Sequence, residues 1–289
     1  MTNTLSRPLE IKHDQIDPTV LEVIGKIDEI ARNHETQYFL AGATAREVIL
    51  RHVFGRPPGR RTLDVDFGIA VRDWAHFKTL KSAMVEEAAF KEHPHKVQRL
   101  IYESTPAVVV DLIPFGGVES SDRTIAWPPD EDIMMRVAGF SDGLESAVPV
   151  RLEKSLVIPV VSIPVLLVLK LFAWLDRKYE KRDAADIYTL LKEYGDTGNE
   201  DRLYGNELDI LEAEAFDFEL AGARLIGRDA AGVISEDTKK RVGGILESDS
   251  QMEELTNQMI VSTAPSHPEH ARRCELLIGK LRQGFLEKA

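Results

Sequence analysis

Apolar residues recur at helical spacing through Leu21, Ile24, Ile27, Ile30 and Ala31, behind an Asp17-Pro18 start in which the carboxylate caps and the proline takes the first helical position. That pattern predicts an amphipathic helix over roughly residues 18–33. Tyr38-Phe39-Leu40 then reads as a short apolar strand running into the small-residue turn Ala41-Gly42-Ala43-Thr44. From Ala45 to Phe54 helical spacing returns, with Val48, Ile49 and Val53 inward. Gly55-Arg56-Pro57-Pro58-Gly59-Arg60-Arg61 is too rich in glycine and proline to be anything but a loop. Thr62 to Val71 reads as a strand, and Trp74 to Phe90 as a helix with Phe77, Leu80 and Met84 on one face. Val97–Glu103 and Ala107–Phe115 are β-rich runs separated by Ser104-Thr105-Pro106, the pattern of a hairpin. Residues 116–143 carry no regular period. Val148–Leu152 and Leu156–Val161 form a second strand pair, followed by helices over Val165 to about Lys178 and Asp183–Tyr194. Further helices are expected around 220–226, 238–246 and 270–286.

The expected fold class is therefore α+β, with strands and helices mixed over residues 1–190 and a helical region over 191–289. The boundary rests on composition: from Glu193 to Glu219 ten acidic residues stand against one basic residue, Arg202. The whole chain of 289 residues is acidic too, with a net charge of −12, which argues against coating nucleic acid by charge alone. A local basic groove, or acids gathered to hold metal, is compatible with that total. Cys274 is the single cysteine, so no intramolecular disulfide and no CxxC zinc site is expected. The start of the chain lacks the apolar core of a signal peptide, and Leu156–Leu175 is interrupted by Pro159, Ser162, Pro164 and Lys170. The expectation is a cytoplasmic protein without a membrane span.

Candidate chemistry centres on Asp64-Val65-Asp66. Residues i and i+2 of a strand share a face, so both carboxylates project together and repel unless a cation neutralises them. Oxygen donors of this kind suit Mg²⁺ or Mn²⁺ rather than zinc. An edge strand with its acids in water is the alternative. Gly42-Ala43-Thr44, between a strand and a helix, allows backbone N–H groups to approach a phosphate, although an ordinary strand-to-helix turn reads the same way. Asp111 interrupts Ala107-Val108-Val109-Val110 and Leu112-Ile113, where a carboxylate is costly unless it is paired, bound to metal or at a strand end. Arg46, Arg51, Arg56, Arg60 and Arg61 gather positive charge between the turn and the acids, suited to bidentate phosphate contacts or to a solvated loop. His267-Pro268-Glu269-His270 has a ligand-like composition, but the proline argues against two aligned histidines.

The order of strand, Gly-Ala-Thr turn, helix, Arg60-x-Thr62-x-Asp64-x-Asp66 and a later in-strand Asp111 resembles the nucleotidyltransferases of the DNA polymerase β superfamily. Leu40-Ala41-Gly42-Ala43-Thr44-Ala45-Arg46-Glu47 resembles that superfamily's paired-glycine or Gly-Ser turn, with alanines flanking a single glycine. The subgroup indicated is the AbiEii-like and MenT-like one, some of whose members are toxins of toxin–antitoxin and phage-defence systems. Leu169-Lys170-Leu171-Phe172-Ala173-Trp174-Leu175-Asp176-Arg177 and Lys181-Arg182-Asp183-Ala184-Ala185-Asp186-Ile187 are similar to its Lys-x-x-Ala-x-x-x-Arg and Arg-Asp-x-x-Asp helices. The resemblance covers roughly residues 36–190.

It implies a nucleotidyltransferase fold, a mixed β-sheet with flanking helices, followed by a helical C-terminal part. It also implies an Mg²⁺- or Mn²⁺-dependent enzyme transferring NMP from an NTP to an acceptor hydroxyl, such as the 3′ end of an RNA (tRNA), with release of pyrophosphate. Asp64, Asp66 and Asp111 would be catalytic and hold the metal. Gly42, Ala43, Thr44, Arg46, Arg60, Thr62, Lys170 and Asp183 would bind the nucleotide. A cognate antitoxin is an implied partner. Two other functions use the same residues: a catalytically silent binding or regulatory protein, suggested by Ala41 and Ala43, and a metal-dependent phosphodiesterase with water as nucleophile.

Overall fold

The computed structural model describes residues 7–58, 64–263 and 267–287. These fall into two compact units, Met1–Ser162 and Ile163–Ala289. The division comes ahead of the acidic run, because the helices that precede the run pack with those that follow it.

In chain order the first unit contains β1 (Leu9–Glu10), α1 (Pro18–Asn33), β2 (Tyr38–Ala41) and α2 (Gly42–Arg46), which continues as a π-helical segment, Glu47–Val53. Then come β3 (Asp64–Val71), α3 (Trp74–Glu87), β4 (Phe90–Glu92), β5 (Arg99–Tyr102), β6 (Val108–Gly116), β7 (Thr124–Ala126) and β8 (Met134–Arg136). α4 (Phe140–Glu145), β9 (Val148–Glu153) and β10 (Leu156–Val160) complete it. The α1 start is as the sequence predicts: the Asp17 carboxylate accepts from Thr19 N at 2.9 Å, with Pro18 inside the first turn. Val23, Ile24, Ile27 and Ala31 are fully covered on its inner face.

Eight strands form one mixed sheet in the order β1-β9-β10-β2-β3-β6-β5-β4, and β7 pairs with β8 in a separate ribbon. Both expected hairpins are present, β5–β6 and β9–β10. At the sheet's centre β3 lies parallel to β6 and antiparallel to β2. Val65, Phe67 and Ile69 are fully buried on one face of β3, with Val110 and Leu112 doing the same on β6. The opposite face therefore receives Asp64, Asp66 and Asp111, by strict alternation. Residues 116–143, without period in the sequence, hold the β7–β8 ribbon and the start of α4. The helix expected to reach Phe90 ends at Glu87, after which Phe90 is buried as the first residue of β4.

The second unit is helical: α5 (Ile163–Asp176), a 3₁₀ turn (Lys178–Glu180), α6 (Arg182–Glu193), α7 (Glu200–Leu203), α8 (Leu208–Ala213), α9 (Phe218–Val233), α10 (Glu236–Glu247), α11 (Asp249–Thr263) and α12 (Pro268–Leu286). Pro268 occupies the first turn of α12 and so begins a helix, where its missing N–H costs nothing. The acidic run is held by arginines of its own unit. Arg273 binds Asp217 at 2.6 Å and Glu219 at 2.8 Å, and Arg228 binds Glu207 at 2.6 Å. Glu214, nearly buried, takes Lys280 at 2.7 Å and Arg224 at 3.3 Å. Cys274 is buried, and burial pushes its thiol up to about 11, so it stays protonated at neutral pH.

Glycine is required where α9 meets α12. A Cβ on Gly284 would run into the Arg224 carbonyl, whose carbon would be 2.8 Å away, and one on Gly227 would lie 2.8 Å from Phe285 N. Backbone cannot yield as a flexible side chain can. Gly284→Ala should therefore destabilise the protein by about 2 kcal/mol, read as a lowered melting temperature. Gly243→Ala, where open space surrounds the new methyl, should gain rather than lose stability by helix propensity, about 1 kcal/mol at most.

Candidate active site

The turn after β2 and the acids of β3 form one structure. Asp66 is the cross-strand partner of Ala41 on β2 and of Asp111 on β6. Gly42 follows Ala41 with φ +66°, the left-handed region that only glycine enters without cost. A methyl there would collide with the Asp66 carboxylate, meeting its Cγ at 2.7 Å. The carboxylate thus rests directly on the turn. Thr44 ties the same turn to the strand from the other side, its Oγ1 donating to the Asp64 carbonyl at 2.9 Å. Its hydroxyl is spent on positioning, and the residue is buried. Ala41 lies in extended backbone (φ −126°, ψ −168°), where a methyl is ordinary. The single glycine is at the position whose backbone needs it.

Asp111 has a partner that the sequence reading did not provide. Arg99, opposite it on β5, donates Nε to Oδ1 at 2.8 Å and Nη2 to Oδ2 at 2.6 Å, a fork-to-fork pair with side chains 20% and 14% exposed. The hydrogen bonds to Asp111 hold the Arg99 guanidinium more firmly protonated than usual, and the charges of Asp64 and Asp66 add to the effect. The signal for this residue was a basic side chain inside an apolar hairpin strand, one hairpin length before the acid that interrupts the next. By donor type Asp64 and Asp66 fit a hard divalent cation. Among the described residues, however, no set of three or more His, Cys, Asp or Glu side chains is arranged to hold a metal ion. The pair fits such an ion by donor type, and Asp111 on the same face is engaged by Arg99.

Arg46 is 3% exposed and bonds Glu47 at 2.8 Å. Ala43 is half-buried beside Gly42. Arg60 and Thr62 lie outside the described residues. Lys170 and Asp183 belong to the second unit, where they meet. The Lys170 ammonium reaches Asp183 at 3.1 Å and Asp186 at 2.6 Å, and Arg177 Nε donates to Asp183 at 2.8 Å. This buried cluster is what the Lys-x-x-x-x-x-x-Arg and Arg-Asp-x-x-Asp spacings of α5 and α6 assemble. Burial alone would raise the Asp183 carboxyl, but Lys170 and Arg177 outweigh it and hold the group below the usual carboxylate range.

A mixed sheet with a glycine turn set against an aspartate pair on the neighbouring strand, followed by a helical region, is a nucleotidyltransferase fold. The pattern of the family described as nucleotidyl transferase AbiEii toxin, type IV TA system, matches residues 29–255, and the chain belongs to that family. No curated protein sequence matches it significantly. Among solved structures it is similar to an antigenic nucleotidyltransferase-like protein from Paracoccidioides brasiliensis (18% identity, TM-score 0.39, covering 60% of this chain and 74% of that one). It is also similar to the antibiotic-resistance factor ANT(2'')-Ia (11% identity, TM-score 0.36, 69% and 98%) and to the Thermotoga maritima CCA-adding enzyme in complex with tRNA (9% identity, TM-score 0.26, 95% and 80%).

The Asp183 shift has a definite sign. A carboxyl depressed in the folded state contributes stability that is complete above the unfolded value near 4 and is lost as pH falls through the lower folded value. Asp183→Asn should cost about 2 kcal/mol at pH 7, since Lys170 keeps Asp186. It should also make the acid limb of a stability-versus-pH curve shallower below about pH 4. The limb does not vanish, because Asp217 and Glu287 are depressed as well, Asp217 chiefly by Arg273. Chemical denaturation at stepped pH values measures both effects.

Proposed function

We propose that the first unit carries a divalent-cation-dependent site that transfers NMP from an NTP to an acceptor hydroxyl and releases pyrophosphate. The observation that supports this reading best is the Asp66 carboxylate seated on the left-handed Gly42 turn, with Asp64 on the same strand face. Asp64 and Asp66 hold Mg²⁺ or Mn²⁺, which when bound neutralises the triphosphate and the charge that develops during in-line displacement. Gly42 and Ala43 present backbone to the phosphates without side-chain obstruction, and Thr44 keeps that turn in register with β3. The acceptor oxygen bonds to the α-phosphorus, the bond from that phosphorus to the bridging oxygen breaks, and pyrophosphate leaves with the electron pair. The acceptor proton passes to a carboxylate of the site. Asp111 completes the acid face, and Lys170 and Asp183 are carried as nucleotide-binding candidates by the motif they form in the second unit.

An RNA 3′ end, tRNA included, is the acceptor we favour, and a cognate antitoxin is the partner, the latter suggested by the family's description as the toxin of a TA system. An NTP-dependent reaction of this kind belongs in the cytoplasm. No helix among the described residues is long and apolar enough to cross a membrane. The catalytically silent alternative drew on Ala41 and Ala43, and the extended backbone at Ala41 removes part of its basis.

Incubation of the purified protein with each labelled NTP, Mg²⁺ or Mn²⁺ and total RNA should label RNA of increased length. Asp64→Ala combined with Asp66→Ala should abolish labelling; equal labelling by that variant, or none by the natural protein, refutes the transferase. Shortened RNA would instead identify a phosphodiesterase. Gly42→Ala displaces the Asp66 carboxylate and should lower the transfer rate about a hundredfold, the usual effect of misplacing a reacting group by an ångström. The same variant should still fold, at a cost of about 1–2 kcal/mol for the left-handed alanine.

A further inference from the structure

Helix α1 covers the face of the sheet opposite the acids. Tyr38 on β2 and Tyr102 on β5 point to that face and donate their hydroxyls to Asp28 and Glu22 of α1, each at 2.6 Å. A cleft of about 750 Å³ opens to solvent between α1, the segment leading into it and the β9–β10 hairpin. Ile11, Leu21, Leu152 and Leu156 give it apolar walls, and Gly25 lines it midway along α1. A Cβ on Gly25 would meet nothing nearer than Leu156 Cδ2 at 3.9 Å. Crowding therefore does not demand glycine there, although glycine weakens a helix interior relative to alanine. What the bare backbone provides is room in the cleft. The charged residues of the lining are Glu22, Glu29, Glu153 and Lys26, a net −2. Lys26 lies 3.8 Å from Glu22 and over the Tyr102 ring. Glu29 and Glu153 are exposed and have no hydrogen-bond or ion-pair partner among the described residues. Finally, β1 pairs with β9 only at Val150 and Arg151. From Leu152 on, the outer edge of β9 has no strand beside it among the described residues.

We propose that this cleft binds an extended peptide segment of a partner protein, one that carries both apolar and basic side chains. The apolar side chains take the space over Gly25 between Leu21 and Leu156. Lysines or arginines of the segment meet Glu29 and Glu153, the two carboxylates left without a counter-charge. Its main chain pairs with the open edge of β9, the mode in which a sheet edge accepts an added strand. The same carboxylates repel a polyanion such as RNA, and a second copy of this chain would bring a net charge of −12 of its own. Because the acids lie across the sheet, the bound segment leaves them uncovered. The inference goes beyond the transfer reaction and does not depend on it.

Selection of a displayed library of random heptapeptides against the full chain tests it, the enriched peptides being synthesised and titrated by fluorescence anisotropy. They should carry lysine or arginine together with apolar residues, and should bind less tightly as salt is raised. Gly25→Leu fills the cleft and should weaken them at least about tenfold, by steric exclusion. Glu29→Lys with Glu153→Lys reverses the two unpaired charges and should also weaken them at least about tenfold. That second variant changes only exposed side chains, which keeps the comparison usable if Gly25→Leu folds poorly; thermal melts of both monitor this. A library that yields no binder, or binders without basic residues, overturns the proposal. So do peptides that bind either folded variant as tightly as the natural chain. A dimer seen by light scattering and dissociated by Gly25→Leu overturns it too, because the occupant would then be a second copy. Binding of labelled RNA that Gly25→Leu abolishes would overturn it in favour of a polyanion.

Discussion

Like charges gathered on one face of a sheet repel, and the first unit is organised around containing that repulsion. Asp64, Asp66 and Asp111 lie on one face of two central parallel strands, where the opposite face is sealed by Val65, Phe67, Ile69, Val110 and Leu112. Alternation leaves the acids no other side to occupy. The structure meets the cost with a guanidinium on the next strand, a glycine turn that accepts the Asp66 carboxylate, and a threonine that fixes turn to strand. Shifting any strand by one residue would send this set to the apolar side. The pairing register and the chemistry are therefore one constraint.

Much of this was legible in the sequence because it is governed by short periods. The alternation around Asp64 and Asp66, the cap at Asp17-Pro18 and the two hairpins each depend on neighbours a few residues apart. The acid pair and its glycine turn were visible for the same reason. What escaped depends on partners distant in the chain or on conformations without a period. Arg99 gains meaning only once β5 lies against β6, and the two-residue strand β1 exists only because β9 pairs with it. Residues 116–143 lack a repeating pattern because they form a short ribbon and turns. Thr44 and Arg46 were placed on the right segment, but the local pattern does not reveal that both are buried.

The net charge of −12 has a similar history. Read as a total it suggests a protein that avoids polyanions. Its distribution says otherwise. Part of it is the acid face of the sheet, and part is the run from Glu193 to Glu219, where Glu207, Glu214, Asp217 and Glu219 are engaged by arginines and a lysine of α9 and α12. Neither part is a uniform repulsive coat. The acidic run is a component of how the helices hold together, and ion pairs of this partly exposed kind weaken with salt.

The spacing of the row across β3, β6 and β5 also bears on how the chain assembles. Arg99 and Asp111 are separated by 12 residues within one hairpin, whereas β3 reaches β6 only over a much longer loop. The entropy lost on closing a loop grows with its length, by about 0.6 kcal/mol for each doubling. The hairpin that neutralises Asp111 is accordingly the cheaper contact to close. An acid face that resists its own formation is thus built beside a hairpin whose own carboxylate is already paired with Arg99.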